Sequence, residues 1–389
     1  MERVAVAERP GWEDTAREMG FTFHHMDGQR YWDERAYYRF TLEEVERDVE
    51  APSAELHAMC LALVDEVVGS ERLMDRLAIP APMRDVVATS WRSGAPSLYG
   101  RFDFSYGGDG TGPAKLLEYN ADTPTSIYET ALFQWRWLED MVAAGRLPAE
   151  ADQYNRLHEA LVERFGALLT KGSVLHFASD ADHVEDRQTV RYLEDAARQA
   201  GLDPEFVAVD RIGVDADGRF VDETGVIIAA LFKLYPWEDM FREPYADRLA
   251  GAATMFLEPA WKAVLSNKGV LPLLWERHRD HPNLLPAAFA DALEGLAALG
   301  GRYVRKPLFS REGADIELVD GTRREAGPPG GYGEEGWIVQ ALAPLPRFDG
   351  AHAVVGSWIV GDEPVAMSIR EDDAAITRDL ARYVPHAIE

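Results

Sequence analysis

The stretches Arg101-Phe-Asp-Phe104 and Leu117-Glu-Tyr-Asn-Ala-Asp-Thr-Pro-Thr125 decide how this chain is read. Side chains alternate across an extended strand, so Arg101 and Asp103 project to one face, and Glu118 and Asn120 do the same. Between them Tyr106-Gly-Gly-Asp-Gly-Thr-Gly112 supplies a turn, and Leu98 to Asn120 reads as a hairpin. That loop lacks a Gly-Lys-Ser ending and opens no helix, which favours a plain hairpin turn over a phosphate cradle. One face of the hairpin then carries three oxygen ligands and a cation. Magnesium bound with a nucleotide needs few protein oxygens, because phosphates and water complete its octahedron. An arginine fork suits a transferring phosphoryl group. The hairpin is therefore a candidate phosphoryl-transfer site.

Composition narrows the class. A chain of 389 residues with 47% hydrophobic residues and ten tryptophans can fill a large core and has no low-complexity tract. No apolar run reaches the length of a spanning helix, and no basic-then-apolar leader opens the chain, so a cytoplasmic protein with no membrane partner is expected. The formal charge of −27 argues against a nucleic-acid partner, which normally meets a basic face. It is compatible with a cationic substrate, although acidic surfaces more often serve solubility. Cys60 is alone in an apolar run of helical spacing and reads as a buried thiol. The histidines show no clustered ligand spacing, which disfavours zinc.

Along the chain, Thr41 to Val68 reads as helix, broken near Ala51-Pro-Ser53 with Ser53 as a new N-cap. Tyr128 to Ala144 reads as an aromatic, largely buried helix. Ser173 to Ala178, His183 to Ala200, Glu205 to Val209 and Val226 to Leu231 give strand, helix, strand, strand. That pattern implies a parallel, Rossmann-like sheet with ligands at the carboxyl ends of its strands. Glu258 to Leu274 and Pro286 to Leu299 read as helices. Tyr303 to Lys306, Ile316 to Val319, Trp337 to Leu342, His352 to Val360 and Val365 to Arg370 read as strands of an α+β unit.

Seven stretches in order carry a resemblance: Tyr99-Gly-Arg-Phe-Asp103, Leu117 to Thr123, Lys233-Leu-Tyr-Pro-Trp-Glu238, Leu265-Ser-Asn-Lys-Gly-Val-Leu-Pro272, Arg305-Lys-Pro-Leu-Phe-Ser-Arg-Glu-Gly313, Gly356-Ser-Trp358 and Ile369-Arg-Glu371. The chain resembles the glutathionylspermidine synthase family, in its synthetase domain and stand-alone homologues. The resemblance implies an ATP-grasp fold, α+β with an α/β portion, in which a Rossmann-like sheet precedes the grasp. The expected division is residues 1–165, helical segment and metal-phosphate hairpin; 166–257, substrate-side sheet; and 258–389, ATP-grasp lobes. One enzyme unit without the N-terminal amidase of bifunctional members is expected.

By the same resemblance, Asp103, Glu118 and Asn120 hold magnesium, with two ions expected, and Arg101, Lys268, Lys306 and Arg370 contact ATP. Arg101 and Arg370 stabilise the transferred phosphoryl group. Ser310 to Ala314 is the loop over the phosphates, and backbone groups of Gln340, Ala341 and Leu342 hold adenine. Thr123, Thr125, Ser126, Glu185, Trp237 and Glu238 face the acid substrate. The implied reaction is ATP-dependent ligation of a small-molecule or peptide carboxylate to an amine, such as a polyamine, through an acyl phosphate. Leu234 and Asp239 replace small polar residues frequent in glutathione-using members, which puts glutathione in question. Two alternatives stand beside this reading: a nucleotide-binding regulatory protein without chemistry, and an ATP-grasp ligase forming another bond, such as a thioester.

Overall fold

In the computed structural model, which describes residues 1–26 and 28–389, the hairpin lies inside a sheet built from both ends of the chain. Tyr99–Ser105 pairs antiparallel with Lys115–Asn120, setting Arg101 opposite Asn120 and Asp103 opposite Glu118. Its other edge pairs with Ala351–Val360, which pairs in turn with Glu363–Asp372 and, beyond that, Arg382–Val384. Residues far apart in sequence thus become cross-strand neighbours.

Two further sheets flank the hairpin sheet. Val174–Ser179, Asp203–Ala208, Ala230–Lys233 and Met255–Leu257 form a wholly parallel sheet, as the alternation of strand and helix predicts. Helix Val184–Gln199 crosses it with Val190, Leu193, Ala196 and Ala197 buried. Ala287–Phe289, Trp337–Ala341, Arg302–Pro307, Glu317–Asp320 and Arg323–Ala326 form an antiparallel five-stranded sheet. The large cleft lies among the three. Among the described residues, no helix is long and apolar enough to cross a membrane.

Local chemistry explains the departures from the sequence reading. Helix does not break at Pro52: Thr41 caps it by accepting from the Glu44 amide, and Glu46–Glu50 widens into a π-turn before Ala51–Val68 continues. Proline removes an amide donor, and a widened turn absorbs that loss. Ser53 is no cap. Its hydroxyl donates to Val49 O and meets Ser357 Oγ at 2.7 Å. The run Glu258 to Leu274 forms two short helices, Lys262–Leu265 and Val270–Arg277, separated by Ser266-Asn267-Lys268. Part of Pro286 to Leu299 is strand, because Ala287–Phe289 pairs with Trp337–Ala341 and only Leu293–Ala298 is helical. Val226 and Ile227 are exposed ahead of Ala230–Lys233, where the strand begins. Adjacent His24 and His25 turn their rings toward each other, with their Nδ1 atoms 2.8 Å apart. Cys60 is buried, as read.

One buried ion pair joins the hairpin to the parallel sheet. Lys233 Nζ sits 2.7 Å from Asp122 Oδ1, each side chain 1% exposed, and the Trp237 amide donates to Asp122 Oδ2 at 2.9 Å. Lys233 also donates to Tyr235 O and packs over the Trp237 ring. Burial pushes both groups toward their neutral forms; each opposes this in the other, with the Trp237 amide helping at Asp122 and Glu258 and Glu238 helping at Lys233. Lys233→Met strands the Asp122 carboxylate, with an expected loss of about 3–5 kcal/mol in urea unfolding. An unchanged midpoint would show that the pair contributes nothing to stability.

Candidate active site

A cleft of about 830 Å³ opens between the sheets, and the face of the hairpin forms its floor. Arg101 reaches Asp103 through both Nε (2.7 Å) and Nη2 (3.2 Å). Arg370, from Glu363–Asp372, reaches the same carboxylate at 2.7 Å. Asp103 is therefore clasped by two guanidinium groups. Gly356 makes the first arm possible: a Cβ there would lie 2.5 Å from Ser368 Oγ and 3.0 Å from Arg101 Cδ. With no side chain at 356, Arg101 crosses that strand and lies over the Trp358 ring.

Two lysines complete the positive wall. Asn267 accepts from the Gly269 amide and donates to Leu77 O, fixing the turn from which Lys268 reaches Glu118 Oε2 at 3.2 Å and Ser310 O at 2.8 Å. Lys306, held extended before Pro307, donates to Leu117 O at 2.8 Å and Gln340 Oε1 at 2.9 Å. Burial disfavours a charged Glu118, yet Lys268 and Lys306 outweigh it and hold the carboxyl down at about 2. Burial conversely pulls the Lys306 ammonium down to about 8, with Glu118 opposing. Asn120 Nδ2 donates to both Asp103 and Glu118 at 3.3 Å.

This donor set suits a hard cation. Asp103 and Glu118 bring two carboxylates together with no thiol or imidazole and leave most of an octahedron to phosphate and water; Asn120, whose amide nitrogen spans them here, would offer its oxygen only with the amide turned over. Among the described residues, no three His, Cys, Asp or Glu side chains converge as a protein-only metal cage. A cation fitting here would be shared with a bound anion.

The adenine-side expectation needs correction. Gln340 and Ala341 do not line the cleft. Their strand is paired on both edges, the Ala341 amide donates to Pro286 O at 2.7 Å, and the Leu342 amide points to Arg302 O at 3.3 Å. Gln340 acts through its side chain, which bonds Lys306 and Leu116 O. The cleft wall is formed instead by Leu342, Ala343, Pro344 and Leu345.

At the opposite end Thr123, Thr125, Ser126 and Glu185 line the cleft. Ser126 sits in the left-handed region at φ 70°, an uncommon conformation for a side-chain-bearing residue and one often found at ligand sites. Glu238 lines a small adjoining pocket and pairs with Arg311 at 2.9 Å, while Arg311 also donates to Thr123 Oγ1 at 2.6 Å. Trp237, by contrast, is fully buried and donates to Glu258 O, so it supports the wall and faces no ligand. Cleft residues that sequence reasoning missed include Tyr31 and Asp186, while Asp180, at the carboxyl end of a parallel strand where ligands are expected, lines the cleft as well.

Comparisons with known proteins agree on one family. The model described as glutathionylspermidine synthase, pre-ATP-grasp, matches residues 3–389. A Haemophilus influenzae protein named as an acid–amine ligase is 37% identical over 99% of both chains. Trypanothione synthetase of Crithidia fasciculata is 29% identical over 84% of this chain, which spans about half of that enzyme (53%). The bifunctional glutathionylspermidine synthetase/amidase of Escherichia coli is 26% identical over 94% of this chain and 62% of its own length. Among solved structures, a glutathione synthetase-like effector of Globodera pallida superposes with a TM-score of 0.59, at 12% identity, over 98% of each chain. With a family model covering nearly all of it, laid over a glutathione synthetase-like fold, the chain belongs to the glutathionylspermidine synthase family.

Proposed function

We propose that this protein is an ATP-dependent ligase that joins a carboxylate to an amine through an acyl phosphate. The observation that carries the reading is the convergence of Arg101, Lys268, Lys306 and Arg370 on Asp103, Glu118 and Asn120 in one cleft. Four fixed cations suit a polyphosphate, and two arginines at one carboxylate suit the equatorial oxygens of a transferring phosphoryl group. No member of that set is missing, which counts against a regulatory protein without chemistry.

In this reading Lys268 and Lys306 bind the ground-state phosphates, and Leu342 to Leu345 pack on the base. Asp103, Glu118 and Asn120 would hold one or two magnesium ions, which when bound neutralise phosphate charge and fix the γ-phosphoryl group. Arg101 and Arg370 exchange Asp103 for the developing charge. The acid substrate lies along Thr123, Thr125 and Ser126, near Glu238, and its carboxylate attacks the γ-phosphorus. Asp180, Glu185, Asp186, Asp239, Glu312 and Asp379 line the remaining end. That acidic lining favours a cationic amine, such as a polyamine, over a thiol acceptor. Leu234 and Asp239 line the cleft as well, so a departure of the acid substrate from glutathione falls in the part that meets them. Residues 166–257 would serve the substrates and 258–389 the nucleotide, in the cytoplasm, where ATP is supplied.

Incubation with ATP, magnesium and pools of acids and amines should give ADP, phosphate and one amide in equal amounts, identified by mass spectrometry. ADP formation independent of any acid, with no condensed product, would refute the ligase reading. Arg370→Lys should lower turnover on the order of a hundredfold while leaving ATP affinity nearly unchanged. Affinity lost in proportion to turnover would move Arg370 to ground-state binding. Lys306 sits below its ordinary value, so its charge is lost as pH rises through about 8. Without added magnesium, calorimetric ATP affinity should therefore fall across that pH, and Lys306→Arg should flatten the fall; a wild-type profile in the arginine variant would exclude Lys306 as the cause.

A further inference from the structure

The loop between strands Arg302–Pro307 and Glu317–Asp320 is held in a strained shape from outside. Glu312, Gly313 and Asp315 stand in the left-handed region at φ 54°, 73° and 55°, and two of the three carry side chains. Such residues persist only when their surroundings fix them. Lys268 Nζ donates to Ser310 O at 2.8 Å, and Arg311 donates to Thr123 Oγ1 at 2.6 Å and to Glu238 Oε1 at 2.9 Å. Gly313 packs on the Thr377 carbonyl, which a Cβ would meet at 2.7 Å.

A second segment lies against this loop. Residues 327–336 read Gly-Pro-Pro-Gly-Gly-Tyr-Gly-Glu-Glu-Gly. Asp315 fastens them: its amide donates to Pro328 O at 2.8 Å, and its Oδ2 accepts from the Gly330 amide at 3.0 Å and the Tyr332 amide at 2.7 Å. The Gly327 amide donates to Ile316 O at 2.8 Å, and a Cβ on Gly327 would lie 1.9 Å from Gly313 O. These contacts join loop and segment into one body.

That body grips the substrate side twice. Arg311 pairs with Glu238 at 2.9 Å beside the cleft, and Glu335 pairs with Arg242 farther out. Glu238 and Arg242 lie four residues apart on the turn that begins with Trp237–Met240 and continues as the Phe241 amide donates to Trp237 O. At that spacing they are neighbours on the turn. The two pairs have opposite polarity. Arg242 is exposed, and neither it nor Glu335 lines the cleft.

We propose that residues 310–315 and 327–336 form a lid latched across the cleft by Arg311–Glu238 and Glu335–Arg242, and that the outer pair positions this lid to keep water from the acyl phosphate. The inference rests on the ligase reading. The lid runs from Lys268, on the phosphate wall, to Thr123 and Glu238, on the acid side, and so roofs the place where the acid carboxylate meets the γ-phosphorus. Water reaching the acyl phosphate attacks the acyl carbon and gives up a proton to solvent. The bond from that carbon to the phosphoryl oxygen breaks, phosphate leaves with the electron pair, and the free acid returns. ATP is then consumed without an amide. Closing a lid excludes that water. Substrates must also pass the lid, and an exposed ion pair suits this, because it shifts an opening equilibrium by about fivefold at most.

The test uses the acid and amine found by the ligation screen, with variants in the outer pair, which touches no substrate. Wild type should form one ADP per amide. Glu335→Arg and Arg242→Glu each set like charges against each other. Each should raise the ADP formed per amide by about two- to fivefold, only when the acid is present. Each should also speed hydrogen exchange in residues 327–336 of the ligand-free protein. The double variant, Arg242→Glu with Glu335→Arg, restores the pair with its polarity reversed and should return both readouts toward wild type. Single variants with the wild-type ratio and exchange would overturn the latch, as would a double variant as leaky as the singles. Faster exchange with an unchanged ratio would overturn the sealing role. Should wild type make no amide from any pool, the ligase reading fails, and the exchange measurement still decides whether the pair latches the lid.

Discussion

The Asp103 carboxylate, clasped between Arg101 and Arg370, is the contact on which the rest of the site depends. The two arginines come from strands far apart in sequence, and only the six-stranded sheet brings them to one carboxylate. Side chains this buried cannot carry net charge alone, so the sheet can close only because the acid and the cations arrive together. The same reasoning holds for Glu118 with Lys268 and Lys306. Each half of the cluster is stable in the protein because the other half neutralises it.

That balance also prepares the site for a ligand. Cations already fixed by Asp103, Glu118, Gln340 and Leu117 need little reorganisation when phosphate oxygens replace those partners. Gly356 removes the one atom that would keep Arg101 off its strand. The buried Asp122–Lys233 pair fixes the segment after Asn120, so Thr123, Thr125 and Ser126 are held where the metal-ligand strand ends. Positioning and electrostatics thus share the same few contacts.

The hairpin and its charged face were legible in the sequence because strand alternation is strict and the four residues are close together. The parallel sheet was legible from strand-helix-strand spacing. What was lost depended on distant partners. Ala287–Phe289 has the composition of a helix but becomes strand because Trp337–Ala341 offers an edge. Gln340 looked like a backbone ligand, yet its strand is paired on both sides and its side chain instead holds Lys306. Trp237 lies in a site motif but turns into the core.

The central claim is that a carboxylate oxygen becomes bonded to the γ-phosphorus in this cleft, and isotope transfer tests it most directly. With the acid substrate labelled by ¹⁸O in its carboxyl group, one labelled oxygen should appear in the phosphate released during ligation, read by mass spectrometry. Phosphate released without label, at full yield of the amide, would contradict an acyl phosphate and the phosphoryl-transfer role assigned to Arg101 and Arg370.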